Sequence, residues 1–222
     1  MVLRSLYSIL LILVAQLALG QSNLLVGFNT GFVLAERNNS LIDEYNLRSE
    51  VDESLEHLKF ISGFELGYQY GNDVSAITLS FSYLRKETKG TELNIDDETL
   101  NRRIQYSFLS FATGGEFGSE RVRLGANLGY RISKFNSSLG TSVDYKNIVS
   151  EGNWVSKLYL QYKFGGSAQT CFAIRPYFEL AWGSTNFTAL RNELIDQNSQ
   201  IYQQKFHTFG ISFLFINGPQ YD

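Results

Sequence analysis

Cysteine is nearly absent from this chain. Cys171 stands alone among 222 residues, which excludes an intramolecular disulfide framework and a cysteine-rich zinc site. Proline occurs only twice and histidine only twice. A basic excess is missing as well: 19 Lys and Arg face 22 Asp and Glu, a balance that argues against a nucleic-acid partner. Charged residues make up 18%, below the usual quarter or so. After residue 20 no apolar run is long enough to cross a bilayer as a helix. No phosphate-binding loop or dinucleotide fingerprint occurs, so no cofactor is expected. What the chain has in quantity is Phe (17), Tyr (13) and Gly (19). That combination favours strands, and 44% hydrophobic residues exclude a disordered chain.

The first twenty residues form a separate unit. Arg4 is their only charge; it precedes the apolar run Leu6 to Val14, and Ala18-Leu19-Gly20 places small residues where signal peptidase reads. A basic start, an apolar middle and a small-x-small end predict a secretory signal peptide over 1–20, with the mature domain over 21–222. The competing reading is an uncleaved N-terminal anchor. No Cys follows the cleavage point, which argues against a lipoprotein.

The mature chain alternates with period two, the signature of strands. Between 122 and 133, Val122, Leu124, Ala126, Leu128, Tyr130 and Ile132 oppose Arg123, Gly125, Asn127, Gly129, Arg131 and Ser133. Between 172 and 182, Phe172, Ile174, Pro176, Phe178, Leu180 and Trp182 oppose Ala173, Arg175, Tyr177, Glu179 and Ala181. Eight strands are predicted, near 23–35, 58–70, 74–86, 103–117, 121–134, 154–165, 171–184 and 204–216. The fourth is irregular: Ile104, Tyr106 and Phe108 share one face, then Leu109 and Phe111 share the other. A β-bulge near Ser107–Leu109 is the expected reconciliation.

The connections alternate between short turns (71–73, 118–120, 165–170) and long polar loops (36–57, 87–102, 135–153, 185–203). Sixteen of the 22 acids fall in those long loops. Short turns on one side and long loops on the other are the layout of an outer-membrane barrel, with both termini on the periplasmic side. A soluble, lipocalin-like barrel shows the same alternation with the faces reversed. Three features favour the membrane: aromatics near the strand ends (Tyr68, Tyr70, Tyr83, Tyr130, Trp154, Trp182), acids segregated into loops, and small residues mixed with charges of both signs on the polar faces.

With its signal peptide, strand count, loop pattern and aromatic-rich last strand (Phe206 to Phe215), the chain resembles the small outer-membrane β-barrel proteins of Gram-negative bacteria, the OmpA/OmpX-like and PorT-like group. The resemblance covers 23–216. It implies an all-β, eight-stranded antiparallel up-and-down transmembrane barrel in the cell outer membrane, lipid as its surroundings, and recognition of the last strand by the barrel-assembly machinery. Seven residues follow that strand, a departure from the family's terminal aromatic.

With apolar faces outward, the lumen receives Lys59, Glu65, Arg123, Asn127, Arg131, Lys157, Gln161, Lys163, Arg175 and Glu179. Buried charges must pair, so Glu65 and Glu179 are expected to bridge neighbouring Arg or Lys and to plug an interior just wide enough for side chains. The alternative is a narrow path preferring anions, since bases outnumber acids there. The acidic loops are expected to serve structure, adhesion or docking to an extracellular partner. Asn94 to Glu98 offers oxygen ligands for Ca²⁺ without EF-hand spacing, so a solvated acidic surface is expected instead. A short helix is predicted over Ser49–His57. A lipid-modifying enzyme would need His57 or His207 beside Ser54 or Ser199 and a loop acid, and no catalytic motif supports it.

Overall fold

A computed structural model describes residues 21–48, 51–72, 74–93, 99–140, 144–167, 170–195 and 200–218. The elements in chain order are β1 (Gln21–Leu34), α1 (Glu36–Arg48), β2 (Val51–Glu53), β3 (Phe60–Gly71), β4 (Ser75–Leu93), β5 (Thr99–Gly118), β6 (Val122–Leu139), β7 (Lys146–Ser167), β8 (Thr170–Ala181), β9 (Thr185–Asn186), α2 (Thr188–Leu194), β10 (Gln203–Gln204) and β11 (His207–Asn217). Eight of the strands close on themselves in the order β1-β3-β4-β5-β6-β7-β8-β11. The seam is β1 against β11, antiparallel from Leu24↔Asn217 to Leu34↔His207. Closure leaves no unpaired edge among these eight strands, the condition for a sheet to lie in lipid.

The direction of the side chains follows β6 most clearly. Leu124 is 64% exposed while Arg123 is 0% exposed. The same reversal holds on β8, where Phe178 is exposed and Arg175 is buried. Apolar side chains therefore cover the outside and ionic ones fill the axis, the reverse of a soluble barrel. Glycine makes room for the few large inward rings. A Cβ on Gly125 would fall inside the Tyr159 ring, and one on Gly31 would meet the Tyr177 hydroxyl.

Three local expectations differ from the structure. β5 runs without a bulge, in continuous register with β4 from Ser75↔Phe117 to Leu93↔Thr99 and with β6 from Arg102↔Leu139 to Gly118↔Arg123. Ile104, Tyr106 and Phe108 point inward and Phe111 outward, so the period is kept. What changes is the lumen, which is apolar at its upper end. The helix predicted over Ser49–His57 lies earlier, at Glu36–Arg48, with Glu36 in its first turn and Arg48 in its last, where each charge complements the helix dipole. Val51–Glu53 is instead a strand against β4. Finally, the second and third long loops are mostly strand, because β4–β5 and β6–β7 continue as tall hairpins above the barrel.

One break in the ladder coincides with a proline. Between β7 and β8 it passes from Tyr159↔Tyr177 to Tyr162↔Ile174. The skipped stretch contains Pro176, which brings no N–H donor.

Candidate functional site

Among the described residues, three groups of interior charges lie along the axis. Lowest, next to the β3–β4 turn, Arg123 donates to Glu116 at 3.0 Å and to the Asn72 carbonyl at 2.7 Å. In the middle, Glu65 accepts from Lys157 at 2.9 Å, Arg175 at 2.8 Å, Asn29 at 2.8 Å and Ser212 at 3.3 Å. Arg175 also donates through Nε to Gln161 at 3.1 Å. Highest, Arg131 donates to Glu179 at 2.9 Å and to the Phe206 carbonyl at 2.7 Å. Tyrosine rings insulate the middle group: Arg175 lies 4.4 Å from the Tyr159 ring centre and Lys157 4.5 Å from that of Tyr177. Charge-assisted bonds of this kind are about twice as strong as neutral ones, and here they run between strands that are distant in sequence.

Of the residues assigned to the interior, Glu65, Arg123, Asn127, Arg131, Lys157, Gln161, Lys163, Arg175 and Glu179 are buried there. Lys59 is not. β3 begins only at Phe60, and Lys59 is exposed, with its carbonyl accepting from Val33 N at 2.8 Å. The inward places at that height belong to Val33, Leu58 and Ile61, among which a lysine would lose its hydration. Glu116 is a further interior acid, beyond Glu65 and Glu179. It lies at the inward end of β5, in the lowest group, and its even-numbered place on that strand was the signal.

Above the charges sits an apolar cap. α1 contributes Leu41, Ile42 and Tyr45, at helical spacing on one face. α2 contributes Leu190 and Leu194, and the barrel wall contributes Ile104, Tyr106, Phe108, Phe135 and Phe206. Phe206 is the hub, within 5.5 Å of Phe135, 5.8 Å of Phe108 and 6.1 Å of Phe187 between ring centres. Arg131 forms the floor, 4.8 Å from the Phe108 ring centre. The segment after α2 holds α1: Gln204, in β10, caps α1 by accepting from Arg37 N at 3.0 Å and Asn38 N at 3.2 Å. On the outer side Arg102 reaches Glu92 and Glu193, each at 3.5 Å. The Tyr45 hydroxyl donates to Glu92, and burial together with that bond pushes its pKa up to about 12.

This is the fold of an outer-membrane β-barrel. A closed antiparallel sheet with an apolar exterior, a charged axis and tall hairpins on one side meets each requirement of a strand-built membrane protein. No family model matches the chain, and no curated protein matches it. Among solved structures it is similar to Ail, the attachment invasion locus protein of Yersinia pestis, solved in complex with the heparin analogue sucrose octasulfate; identity is 18% over 90% of this chain and 97% of that one, with a TM-score of 0.46. It is also similar to the outer membrane protein OprG of Pseudomonas aeruginosa, at 12% identity over 90% and 95% of the two chains with a TM-score of 0.41. A third is the outer membrane protease OmpT of Escherichia coli, at 10% identity over 90% and 94% with a TM-score of 0.32.

Each of the two histidines has a bonding partner among the described residues. His57 bonds Asp43 at 2.7 Å, and His207 accepts from Ala181 N at 3.1 Å. Among the described residues no serine hydroxyl bonds either ring. Ser199 and the segment 94–98 lie outside the described residues. Cys171 is a free, buried thiol against Leu25, Ala173, Leu214 and Ile216.

Proposed function

We propose that this protein is a non-enzymatic barrel of the cell outer membrane, delivered by an N-terminal signal peptide, that acts through its extracellular face by adhesion or docking. The observation that carries this reading is the double closure of the lumen. Three ion-pair groups fill the axis, and the segments that would have been free loops are spent on an apolar cap. A path for ions would need to break both. What remains available to a partner is the outer surface of the cap, where Asp43 and Glu56 stand in solvent with side-chain exposures of 58% and 68%. Rigid scaffolds that present polar surface in this way are suited to recognition.

Three measurements test the reading. In fractionated cells the protein belongs in the outer-membrane fraction and migrates faster in detergent gels when unheated. A cysteine at Leu47, which is 86% exposed on α1, reacts with an impermeant maleimide on intact cells, with Cys171 as the buried internal control. Purified protein in planar bilayers gives no large, stable conductance. Recovery in a soluble fraction overturns the location, an unlabelled Leu47→Cys overturns the orientation, and sustained openings overturn the closed lumen.

A further inference from the structure

Residues Gln204 to His207 cross the mouth of the barrel as a strap. Gln204 holds α1 by accepting from Arg37 N and Asn38 N, and its own amide donates to the Leu34 carbonyl at 3.0 Å. Phe206 is fully buried as the hub of the apolar cap, and its carbonyl accepts from Arg131 at 2.7 Å. His207 fastens the end that enters the barrel wall. The backbone ladder between β8 and β11 stops at Glu179↔Thr208. Further along β8, Ala181 N donates to Nδ1 of His207 at 3.1 Å. A ring nitrogen thus stands in for a ladder carbonyl, and it accepts only while it carries no proton.

The charges around this ring are mostly of one sign. Arg131 of β6 and Lys205 of the strap itself act on it. The neighbouring acids are turned to other partners. Glu179 of β8 accepts from Arg131 at 2.9 Å, and Glu151 of β7 accepts from Asn186 N at 2.7 Å. On α1, Glu36 and Arg37 line a groove with Lys205. β1 sets Leu34 opposite His207. Among the described residues no carboxylate bonds the ring. A proton on His207 turns Nδ1 from acceptor to donor. Ala181 is buried, so its N–H then loses its acceptor where water does not replace it. The proton also sets a third positive charge beside Arg131 and Lys205. Both effects push β8 and the strap apart, and the fastenings at Phe206 and Gln204 lie within three residues of the break.

We propose that residues 204–207 are an acid-released strap: protonation of His207 frees this end of β11 from β8 and loosens α1 from the mouth of the barrel. This rests on the docking reading above and adds regulation to it, since the outer surface of the cap is presented whole at neutral pH and withdrawn in acid. The groups around Glu65 and Arg123 lie below the strap, so the axis stays filled.

The test uses the full barrel refolded in detergent and digested with proteinase K. Rates are compared at about pH 7.5 and about pH 5.5, an interval that spans the ordinary imidazole pKa and stays above the carboxylate range. Each rate is normalised to an unfolded reference substrate, and cleavage within 36–58 is read by mass spectrometry. Wild type is cut roughly 10-fold faster in acid, the loss of one hydrogen bond to a buried donor. His207→Asn places an oxygen that does not titrate where Nδ1 stood, and is cut at one rate at both values. His57→Gln removes the other histidine and keeps the wild-type acceleration. A wild type indifferent to pH overturns the proposal. So does an acceleration that persists in His207→Asn or vanishes in His57→Gln. If His207→Asn is cut fast at both values, the wild-type Ala181 amide decides: its NMR signal moves with the same midpoint as the His207 ring, and a signal that ignores the ring overturns the strap. Leu47→Cys labelling on intact cells tests the docking orientation separately, so labelling together with cleavage that ignores pH removes the strap alone.

Discussion

Replacing Glu65 with Gln probes the closed lumen most directly. Glu65 is 0% exposed and answers two cations, Lys157 at 2.9 Å and Arg175 at 2.8 Å. Glutamine keeps the shape and one acceptor oxygen but removes the charge that balances both. Leaving a buried ion without its partner costs about 3–5 kcal/mol, and two ions lose theirs here. The Arg175 bond to Gln161 and the two tyrosine rings offset part of that. We therefore expect Glu65→Gln to lower unfolding free energy by about 4–5 kcal/mol. Urea titration of the refolded barrel reads it, followed by Trp154 and Trp182, which stand on the outer face and report the loss of the lipid or detergent environment. Adding Lys157→Met to the variant should recover about 2 kcal/mol, since one of the stranded ions is then gone. A loss below about 1 kcal/mol would show that water already reaches Lys157 and Arg175. Ion pairs would then not close the lumen.

Three further outcomes are expected. Arg102→Met removes the tie from β5 to Glu92 and Glu193, so residues 36–58 should be cut by protease roughly 10-fold faster, from about 1–2 kcal/mol of lost local stability, while the barrel still migrates as folded; unchanged cleavage would mean that the apolar cluster alone holds the cap. Pro176→Val supplies the missing donor to the β7–β8 ladder and should raise stability by about 0.5–1.5 kcal/mol; a lower urea midpoint would show that the gap is not a weakness. The Tyr45 hydroxyl has its pKa raised from 10.0 to about 12, first by burial and then by Glu92. A raised value means that the folded state holds the proton more tightly, so this contribution is whole below about pH 10 and is lost as pH climbs towards 12. Phenolate absorbance should show a late step that Tyr45→Phe abolishes, and a step at the ordinary value would contradict the buried bond.

Much of the barrel was legible because lipid imposes a simple rule. Where a strand crosses a bilayer, its neighbours on one side are acyl chains and on the other a narrow axis, so Leu124 and Arg123 cannot exchange places without exposing an ion to hydrocarbon. Above the bilayer that rule lapses. Ile104, Tyr106 and Phe108 are apolar and inward because the helical segments meet them there, and the pattern of β5 alone could not distinguish that from a bulge. Lys59 was misplaced for the same reason: alternation was carried two residues beyond the point where the strand begins. The cap was hidden because Leu41, Ile42 and Tyr45 sit in a segment otherwise rich in charge, where helical spacing is diluted by Glu36, Arg37, Asp43 and Glu44.

The amino-acid order by itself determined that this chain forms long strands, that aromatics gather near their ends and acids in the loops between them, and that ionic side chains share the face opposite the apolar one. Those are consequences of period and composition, which act locally along the chain. Which ions pair, and what covers the mouth, was decided only when the strands closed. Glu65 meets Lys157 and Arg175 across 92 and 110 residues, and no local pattern encodes a partner at that separation. The three-dimensional register brings them together because a closed sheet with a narrow axis forces inward side chains of distant strands into the same few ångströms.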